Sequence, residues 1–329
     1  MKRIDLKAYG VPEQVVQCVD VADVGAPGPG EVVFDVLAFP INPADIAFCT
    51  GGYRLRPPLP ATPGAECVGR VAAVGAGVDH VTLGDHVINL ARENWAQRRR
   101  VRGEDVIAIP RDIALRQAAM LRINPPTAQL LLSDVTALQP GDWVIQNVAN
   151  SAVGRLVIRM AKARGIRTIN VVRREALFAE LQALGADLCV VDGPDLAARV
   201  ATASGGAVVK LGIDAVCGDA LARIAACVCD GGAVVTYGAM SGGQPVIDRS
   251  DLMFRGLTLS GFMLGRFLGR RSLADIRAIF ADLGQQMRDG KLDAPVAAVY
   301  PIEQIAEAVA HAQREAKGGK ILVAPNGMV

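Results

Sequence analysis

The chain of 329 residues predicts an α/β fold in two domains, one β-rich and one a doubly wound parallel sheet. Three observations lead there. Residues 1–115 hold short apolar or alternating runs, each bounded by Gly and Pro. Beyond about residue 120 the rhythm changes to strand-like runs alternating with helical ones, the pattern of βαβ units around a buried sheet. Finally, the length exceeds what one core comfortably fills, roughly 250–300 residues.

Taken in order, residues 32–38, 69–74, 86–90 and 106–110 read as strands of the first part. Dense turn chemistry separates them: Pro27-Gly28-Pro29-Gly30, Pro57-Pro58, Pro63-Gly64 and Gly84-Asp85. That spacing predicts an irregular, barrel-like β domain. In the middle part, residues 143–148, 168–172, 188–191, 214–216, 233–237 and 257–261 read as strands. Residues 153–164, 175–184 and 220–228 carry helical periodicity. The tail opens with an amphipathic helix over 272–289, with Ser272 as N-cap and Gly290 as its stop. A second helical face follows at Ile302, Ile305, Ala306, Val309 and Ala310, then a last strand at 320–323. Because the βαβ set is already complete, the tail is expected to return to the first domain. The expected domains are therefore residues 1–119 with 266–329, and 120–265.

Composition narrows the function. Apolar residues make up 51% and charged residues 21%, with mean hydropathy +0.30, which is core-forming material and not disorder. Net charge is only +2, which argues against a nucleic-acid partner. The longest charge-free run, residues 231–247, is broken by Gly and Pro, so no membrane span is expected. The first residues lack a signal-peptide pattern, and seven scattered Cys read as reduced thiols, so a cytoplasmic setting is expected.

The most chemical segment of the middle part is Gln146-Asn147-Val148-Ala149-Asn150-Ser151-Ala152-Val153-Gly154. A dinucleotide pyrophosphate needs a tight turn, close backbone approach and the free amides of a helix N-terminus. Small residues and Gly154 satisfy those needs, although the segment matches G-x-G-x-x-G only at its last glycine, and an ordinary βα turn is the other reading. The next strand ends at Val172-Arg173-Arg174, 19 residues beyond Gly154 to the first arginine. An NAD site would place an acid there, whereas two guanidiniums suit the 2′-phosphate of NADPH. A solvated Arg pair opening the next helix is the alternative, and the helix dipole disfavours it.

Read together with their neighbours, these segments resemble the medium-chain dehydrogenase/reductase superfamily, and within it the zinc-free 2-enoyl thioester reductases. The resemblance rests on Asn42-Pro43-Ala44-Asp45-Ile46, Gly51-Gly52-Tyr53, Pro63-Gly64-Ala65-Glu66 and Asn124-Pro125-Pro126-Thr127-Ala128. It continues through Gln139-Pro140-Gly141-Asp142-Trp143, Asn150-Ser151-Ala152-Val153-Gly154, Ile169-Asn170-Val171-Val172-Arg173, Val235-Thr236-Tyr237-Gly238-Ala239-Met240 and Gly261-Phe262-Met263-Leu264. It implies a GroES-like β-rich catalytic domain, a Rossmann cofactor domain, an active cleft between them and a homodimer. It also implies cofactor contacts at Asn124, Asn150, Ser151, Ala152, Val153, Arg173, Arg174, Tyr237, Gly238, Ala239, Met240, Phe262, Met263, Leu264 and Lys320.

Zinc divides this superfamily. Catalytic zinc needs three protein ligands. Here Ala65 stands between Gly64 and Glu66 where the zinc enzymes carry His, and no Cys lies between residues 68 and 188, so no metal is expected. An activated double bond can still accept hydride if its carbonyl is polarised by a hydrogen bond. Tyr53 occupies the position at which the resembling reductases carry their catalytic phenol, although a loop Tyr by itself more often packs.

Departures concern the substrate more than the reaction. Phe262-Met263-Leu264 lacks the Trp of the mitochondrial enzymes, Arg122 replaces a Gly, and Arg54 and Arg56 flank the Tyr loop. With the run Arg98, Arg99, Arg100 and Arg102 they either attract an anionic carrier, coenzyme A or acyl carrier protein, or form a solvated face. The expected activity is NADPH-dependent reduction of an enoyl thioester. A zinc-free quinone or enone reductase is the alternative, and a catalytically weak NADPH-binding regulatory protein the third reading.

Overall fold

The computed structural model describes residues 1–315 and 317–329. The chain divides into two compact units, Met1–Ile123 with Ser272–Val329, and Asn124–Arg271. The second unit is thus inserted between two segments of the first. Among the described residues no helix is long and apolar enough to cross a membrane.

The first segment supplies strands β1 (Lys2–Leu6), β2 (Val16–Asp20), β3 (Glu31–Pro40), β4 (Val68–Val74), β5 (His86–Asn89), β6 (Arg98–Arg102) and β7 (Val106–Ile109). The inserted unit supplies β8 (Trp143–Gln146), β9 (Arg167–Val172), β10 (Leu188–Val191), β11 (Val209–Asp214), β12 (Ala233–Thr236) and β13 (Thr258–Gly261). The last segment adds β14 (Val296–Pro301) and β15 (Lys320–Ala324).

In the first unit β1 and β2 form a hairpin, and a larger sheet runs β14-β15-β3-β4-β5-β7 with β6 also on β3. Its core is built from Ile4, Leu6, Phe34, Phe39 and Trp95, with the last two rings stacked 5.6 Å apart. β15 pairs antiparallel with β3, which is how the end of the chain closes onto its beginning. A helix over Pro43–Thr50 follows β3. Asn42 opens it by accepting from the third helical amide, while Asp45 accepts from the Asn42 amide at 2.9 Å, a capping box with Pro43 in the first turn.

The second unit has a fully parallel sheet in the order β10-β9-β8-β11-β12-β13. That order is the doubly wound arrangement with its reversal between β8 and β11. Its short apolar strands pack against helices Ala152–Ala163, Phe178–Leu184, Leu196–Ser204 and Gly218–Cys227.

Local differences from the sequence reading have simple causes. The strand expected at 214–216 lies earlier, at Val209–Asp214, because Lys210 and Gly212 interrupt its apolar pattern; Asp214 instead ends it by accepting from the Val216 and Cys217 amides. The helix expected over 175–184 begins with a 3-10 turn, Glu175–Leu177, before the α-helix Phe178–Leu184. Helices Pro43–Thr50, Asn124–Ser133 and Leu196–Ser204 and strand β14 have no counterpart in the sequence reading, since prolines or Ala-rich runs mask their periods.

The tail helix Leu273–Arg288 is set by its cap. Ser272 Oγ accepts from the Asp275 amide at 3.1 Å and the Asp275 carboxylate accepts from the Ser272 amide at 3.3 Å. Replacing Ser272 by Ala should therefore lower stability by about 1 kcal/mol, read as an earlier denaturation midpoint with unchanged slope.

Candidate functional site

Parallel strands bring all their carboxyl ends to one edge of the sheet, so the turns after β8, β9, β12 and β13 are neighbours by construction. Asn150, Ser151, Ala152 and Val153 follow β8, Arg173 and Arg174 follow β9, Tyr237 to Met240 follow β12, and Phe262 to Leu264 follow β13. These residues are thereby collected on the ligand-binding edge of a doubly wound sheet.

The β8 turn is tight. Val148 adopts φ 50°, a left-handed conformation a β-branched residue rarely takes, and Ser151 caps the following helix by accepting from the Gly154 amide at 3.1 Å. A Cβ on Gly154 would lie 2.6 Å from the Ala149 oxygen, so only glycine lets this helix start so close to its strand. Gln146 fixes the strand end from below, donating to the Gly154 carbonyl at 2.9 Å and to Asn170 Oδ1 at 2.8 Å.

Where the strand order reverses, a buried lacing holds the edge together. Asn147 donates to Asp214 at 2.6 Å and accepts from the Ala215 amide at 2.8 Å, and Thr236 donates to the other Asp214 oxygen at 2.9 Å. Gly238 lies so near Ala215 that a Cβ there would sit 2.9 Å from its oxygen. Tyr237 is half-buried; burial pushes its phenol up to about 12, with the Ser151 hydroxyl pulling the other way. Phe262 is buried against Phe267 at 4.4 Å, whereas Met240 and Met263 are exposed. Asn124 opens helix Asn124–Ser133 and is buried with its Nδ2 lacking a partner.

A dinucleotide fits these features. The tight β8 turn, the capped helix start and the exposed arginines after β9 would hold its phosphates, and the orphaned Asn124 amide is a donor awaiting an acceptor.

Tyr53 and Lys320 lie in the first unit. The Tyr53 amide donates to the Ala47 carbonyl at 2.9 Å, which folds the Gly51-Gly52-Tyr53 loop back onto helix Pro43–Thr50. The Arg92 guanidinium lies 5.1 Å from the Tyr53 ring centre and 5.6 Å from that of Phe48. Below this loop, Glu66 is fully buried. It accepts from Asn42 Nδ2 at 2.8 Å and from the Ile123 amide at 2.9 Å, while Lys320 donates to Asn42 Oδ1. Burial pushes the Glu66 carboxyl up to about 7, opposed chiefly by Lys320 and Asn42. Burial likewise lowers Lys320, against the pull of Glu66 and Asp45. It lowers Arg122 too, with Glu66 supporting the charge and Arg92 opposing it.

The sequence reading did not single out Arg92 or the Asn147–Asp214 lacing. Asn42 and Asp45 were legible as a capping pattern in Asn42-Pro43-Ala44-Asp45.

The arginine run meets acidic side chains along its length. Arg98 pairs with Asp35 at 2.7 Å and Asp23 at 3.0 Å, Arg99 with Glu93 at 3.2 Å, Arg100 with Glu31 at 3.6 Å and Arg102 with Asp105 at 2.9 Å. Carboxylates thus match the run residue by residue. Arg56 donates to the Gly51 carbonyl and so braces the Tyr53 loop.

Comparison with known proteins fits this architecture. Residues 28–108 match the alcohol dehydrogenase GroES-like domain and residues 152–281 the family described as zinc-binding dehydrogenase. The mitochondrial enoyl-[acyl-carrier-protein] reductase of Bos taurus is 37% identical over 306 residues, covering 90% of this chain and 81% of that protein. The chain belongs to the medium-chain dehydrogenase/reductase superfamily. Among solved structures of this superfamily, the quinone oxidoreductase of Pseudomonas syringae has TM-score 0.89 at 26% identity, covering 98% of this chain and 99% of that one. A complex of Etr1p with NADP and crotonyl-CoA has TM-score 0.86 at 26% identity, with the same coverages.

The zinc in the second family description does not suit this member's residues. Among the described residues no three His, Cys, Asp or Glu side chains are grouped to hold a metal ion. Burial pushes the Cys49 and Cys67 thiols up to about 12, and Asp45 is occupied by the Asn42 and Ala65 amides.

Glu66 makes stability pH-dependent. Its ordinary value is 4.5 and the folded value is about 7, so the native state holds this proton more tightly than the unfolded chain. Its contribution is full below pH 4.5 and is lost as pH rises through 7. Across that window the stability of the wild type relative to Glu66→Gln should fall by roughly 3 kcal/mol at most, measured by denaturant unfolding at several pH values.

Proposed function

We propose that this protein is an NADPH-dependent reductase of carbon–carbon double bonds activated by a carbonyl, with a 2-enoyl thioester as substrate. The observation that supports this reading is Tyr53, a phenol held on a braced loop beside a buried polar network, in a chain of the oxidoreductase superfamily that resembles enoyl reductases. Similar proteins described with NADP and crotonyl-CoA, or as enoyl-[acyl-carrier-protein] reductases, support the thioester.

The cofactor, when bound, supplies the hydride. The chain's residues do the rest. The β8 turn and the helix start at Ser151 hold the pyrophosphate, and Arg173 and Arg174 hold the 2′-phosphate. The turns after β12 and β13 shape the nicotinamide end. Tyr53 donates a hydrogen bond to the substrate carbonyl, where negative charge gathers as Cβ is reduced, and a proton is delivered at Cα. A phenol O–H is a hydrogen-bond donor of the kind that task needs.

A quinone or enone is the second reading, favoured by the exposed Met263 where the mitochondrial enzymes carry a bulky Trp, and by similarity to the Pseudomonas quinone oxidoreductase. The homodimer belongs to this proposal as well. β13 ends the parallel sheet, and exposed Met253 and Phe254 precede it, so an open apolar edge awaits a second copy.

Tyr53→Phe should lower kcat for crotonyl-CoA reduction roughly 10²-fold while NADPH binding, followed by cofactor fluorescence, stays as it was. Undiminished turnover would remove Tyr53 from the chemistry. Arg173→Asp combined with Arg174→Ser should raise the KM for NADPH by about 10- to 100-fold and leave that for NADH little changed. An equal loss for both cofactors would show that the arginines do not read the 2′-phosphate.

A further inference from the structure

The turn between β5 and β6 is built around one side chain. Asn89 and Asn94 are fully buried and joined at 2.7 Å. Asn94 Nδ2 also donates to the Ala91 carbonyl at 2.8 Å, and the Ala91 amide donates to Asn89 Oδ1 at 3.0 Å. Glu93 is held at φ 67°, in the left-handed region that favours glycine and strains other residues. Such over-determination fixes Arg92, whose guanidinium lies over the Phe48 and Tyr53 rings. Its Nη2 is buried with no partner.

Arg122 is a second guanidinium tied to this turn. Its Nη2 donates to the Leu90 carbonyl at 2.5 Å, on the same turn, and its Nε is buried without a partner. The two Glu66 oxygens accept from Asn42 and from the Ile123 amide. Asp45 spends its own on the Asn42 and Ala65 amides. One cation thus lies against the Tyr53 ring and a second holds the turn that carries it, each with a buried donor unmet, and buried N–H groups without acceptors are costly. Edge donors of a guanidinium match a carboxylate.

We propose that Arg92 and Arg122 recognise a carboxylate on the substrate, so that the preferred alkene is the monothioester or keto form of a short unsaturated dicarboxylic-type acid, with the free acid on the far side of the double bond from the activating carbonyl. The proposal rests on the reductase reading and names its substrate class. The reaction is balanced: hydride from NADPH reduces Cβ, the π electrons pass to the carbonyl oxygen, and one solvent-derived proton restores the carbonyl at Cα. The carboxylate is held by the arginines and is unchanged.

The test compares two matched pairs in the full-length protein, each differing by a methyl replaced with a carboxylate. These are the N-acetylcysteamine thioesters of crotonate and of monofumarate, and 3-penten-2-one against 4-oxo-2-pentenoate. The neutral thiol keeps carrier phosphates out of the comparison. The acid-to-methyl ratio of kcat/KM in the wild type should fall at least 10-fold in Arg122→Gly and in Arg92→Gln, and Arg122→Lys should recover part of it. Taking the ratio within each variant cancels intrinsic reactivity and any general loss of fold. A ratio equal in all forms overturns the proposal, and so does a loss of NADPH affinity in Arg122→Gly with the ratio intact, since the arginines would then serve the cofactor. If the wild type binds NADPH yet reduces none of the four, the reductase reading fails by itself. Calorimetry then decides the anion site: monomethyl fumarate binding the NADP-loaded protein at least 10-fold more tightly than it binds Arg122→Gly upholds the carboxylate site, and equal binding defeats it.

Discussion

A carboxylate buried away from water has to be paid for by partners, and Glu66 sets the terms for the first unit. Its two oxygens take donors from Asn42 and from the Ile123 amide, residues far apart in sequence. Asn42 in turn accepts from Lys320 on the last strand and opens the helix that ends at the Tyr53 loop. One buried charge therefore ties together the helix start, the end of the first segment and the returning C-terminal strand. β15 can pair with β3 by backbone hydrogen bonds alone, but Lys320 fixes which side chain reaches the network. Removing any partner would strand the others in low dielectric, which is why such networks hold a local geometry more firmly than their individual bonds suggest.

The second unit solves a related problem at its sheet edge. Parallel strands end with unpaired backbone groups where a ligand must come close. Asp214 satisfies this by accepting from Asn147, Thr236 and two amides beyond its own strand, so that three strand ends become one rigid rim. The small residues then have a purpose that their size alone does not reveal. Gly154 and Gly238 are places where another backbone already stands within contact distance of any Cβ. Rigid lacing and close approach together keep the rim from collapsing.

Much of this was legible beforehand, and what was not follows a physical pattern. Strands with clean β-branched runs, such as β9 and β10, lie where the sequence places them within a residue. The capped helix Leu273–Arg288 does too, because a capping box is a local device. β11 slid by several residues because Lys210 and Gly212 blur an otherwise apolar strand. The helix Pro43–Thr50 was hidden by its own starting proline. The candidate site residues named from sequence are those marked by chain neighbours: Ser151 in the turn before Gly154, Arg173 and Arg174 after a strand, Tyr53 after paired glycines. Arg92 was not, because its importance comes from Phe48 and Tyr53, some forty residues earlier in the chain. No local pattern encodes that.

The arginines make the same point about charge. Those of β6 looked the more conspicuous in sequence, four cations within five residues, yet each meets a carboxylate at the surface. Exposed pairs of that kind contribute little and are screened by salt. Arg92 and Arg122 are isolated in sequence, but both carry buried donors without acceptors, and the oxygens of Glu66 are bonded to Asn42 and the Ile123 amide. A net charge of +2 averages these two situations into near neutrality. What distinguishes them is desolvation: a cation's unmet donors cost little in water and much inside a fold, so an anion gains most where the protein has already removed the water. Buried guanidinium donors without a partner occur at Arg92 and Arg122 and also at Arg99 and Arg277, so what sets Arg92 apart is its place against the Tyr53 ring.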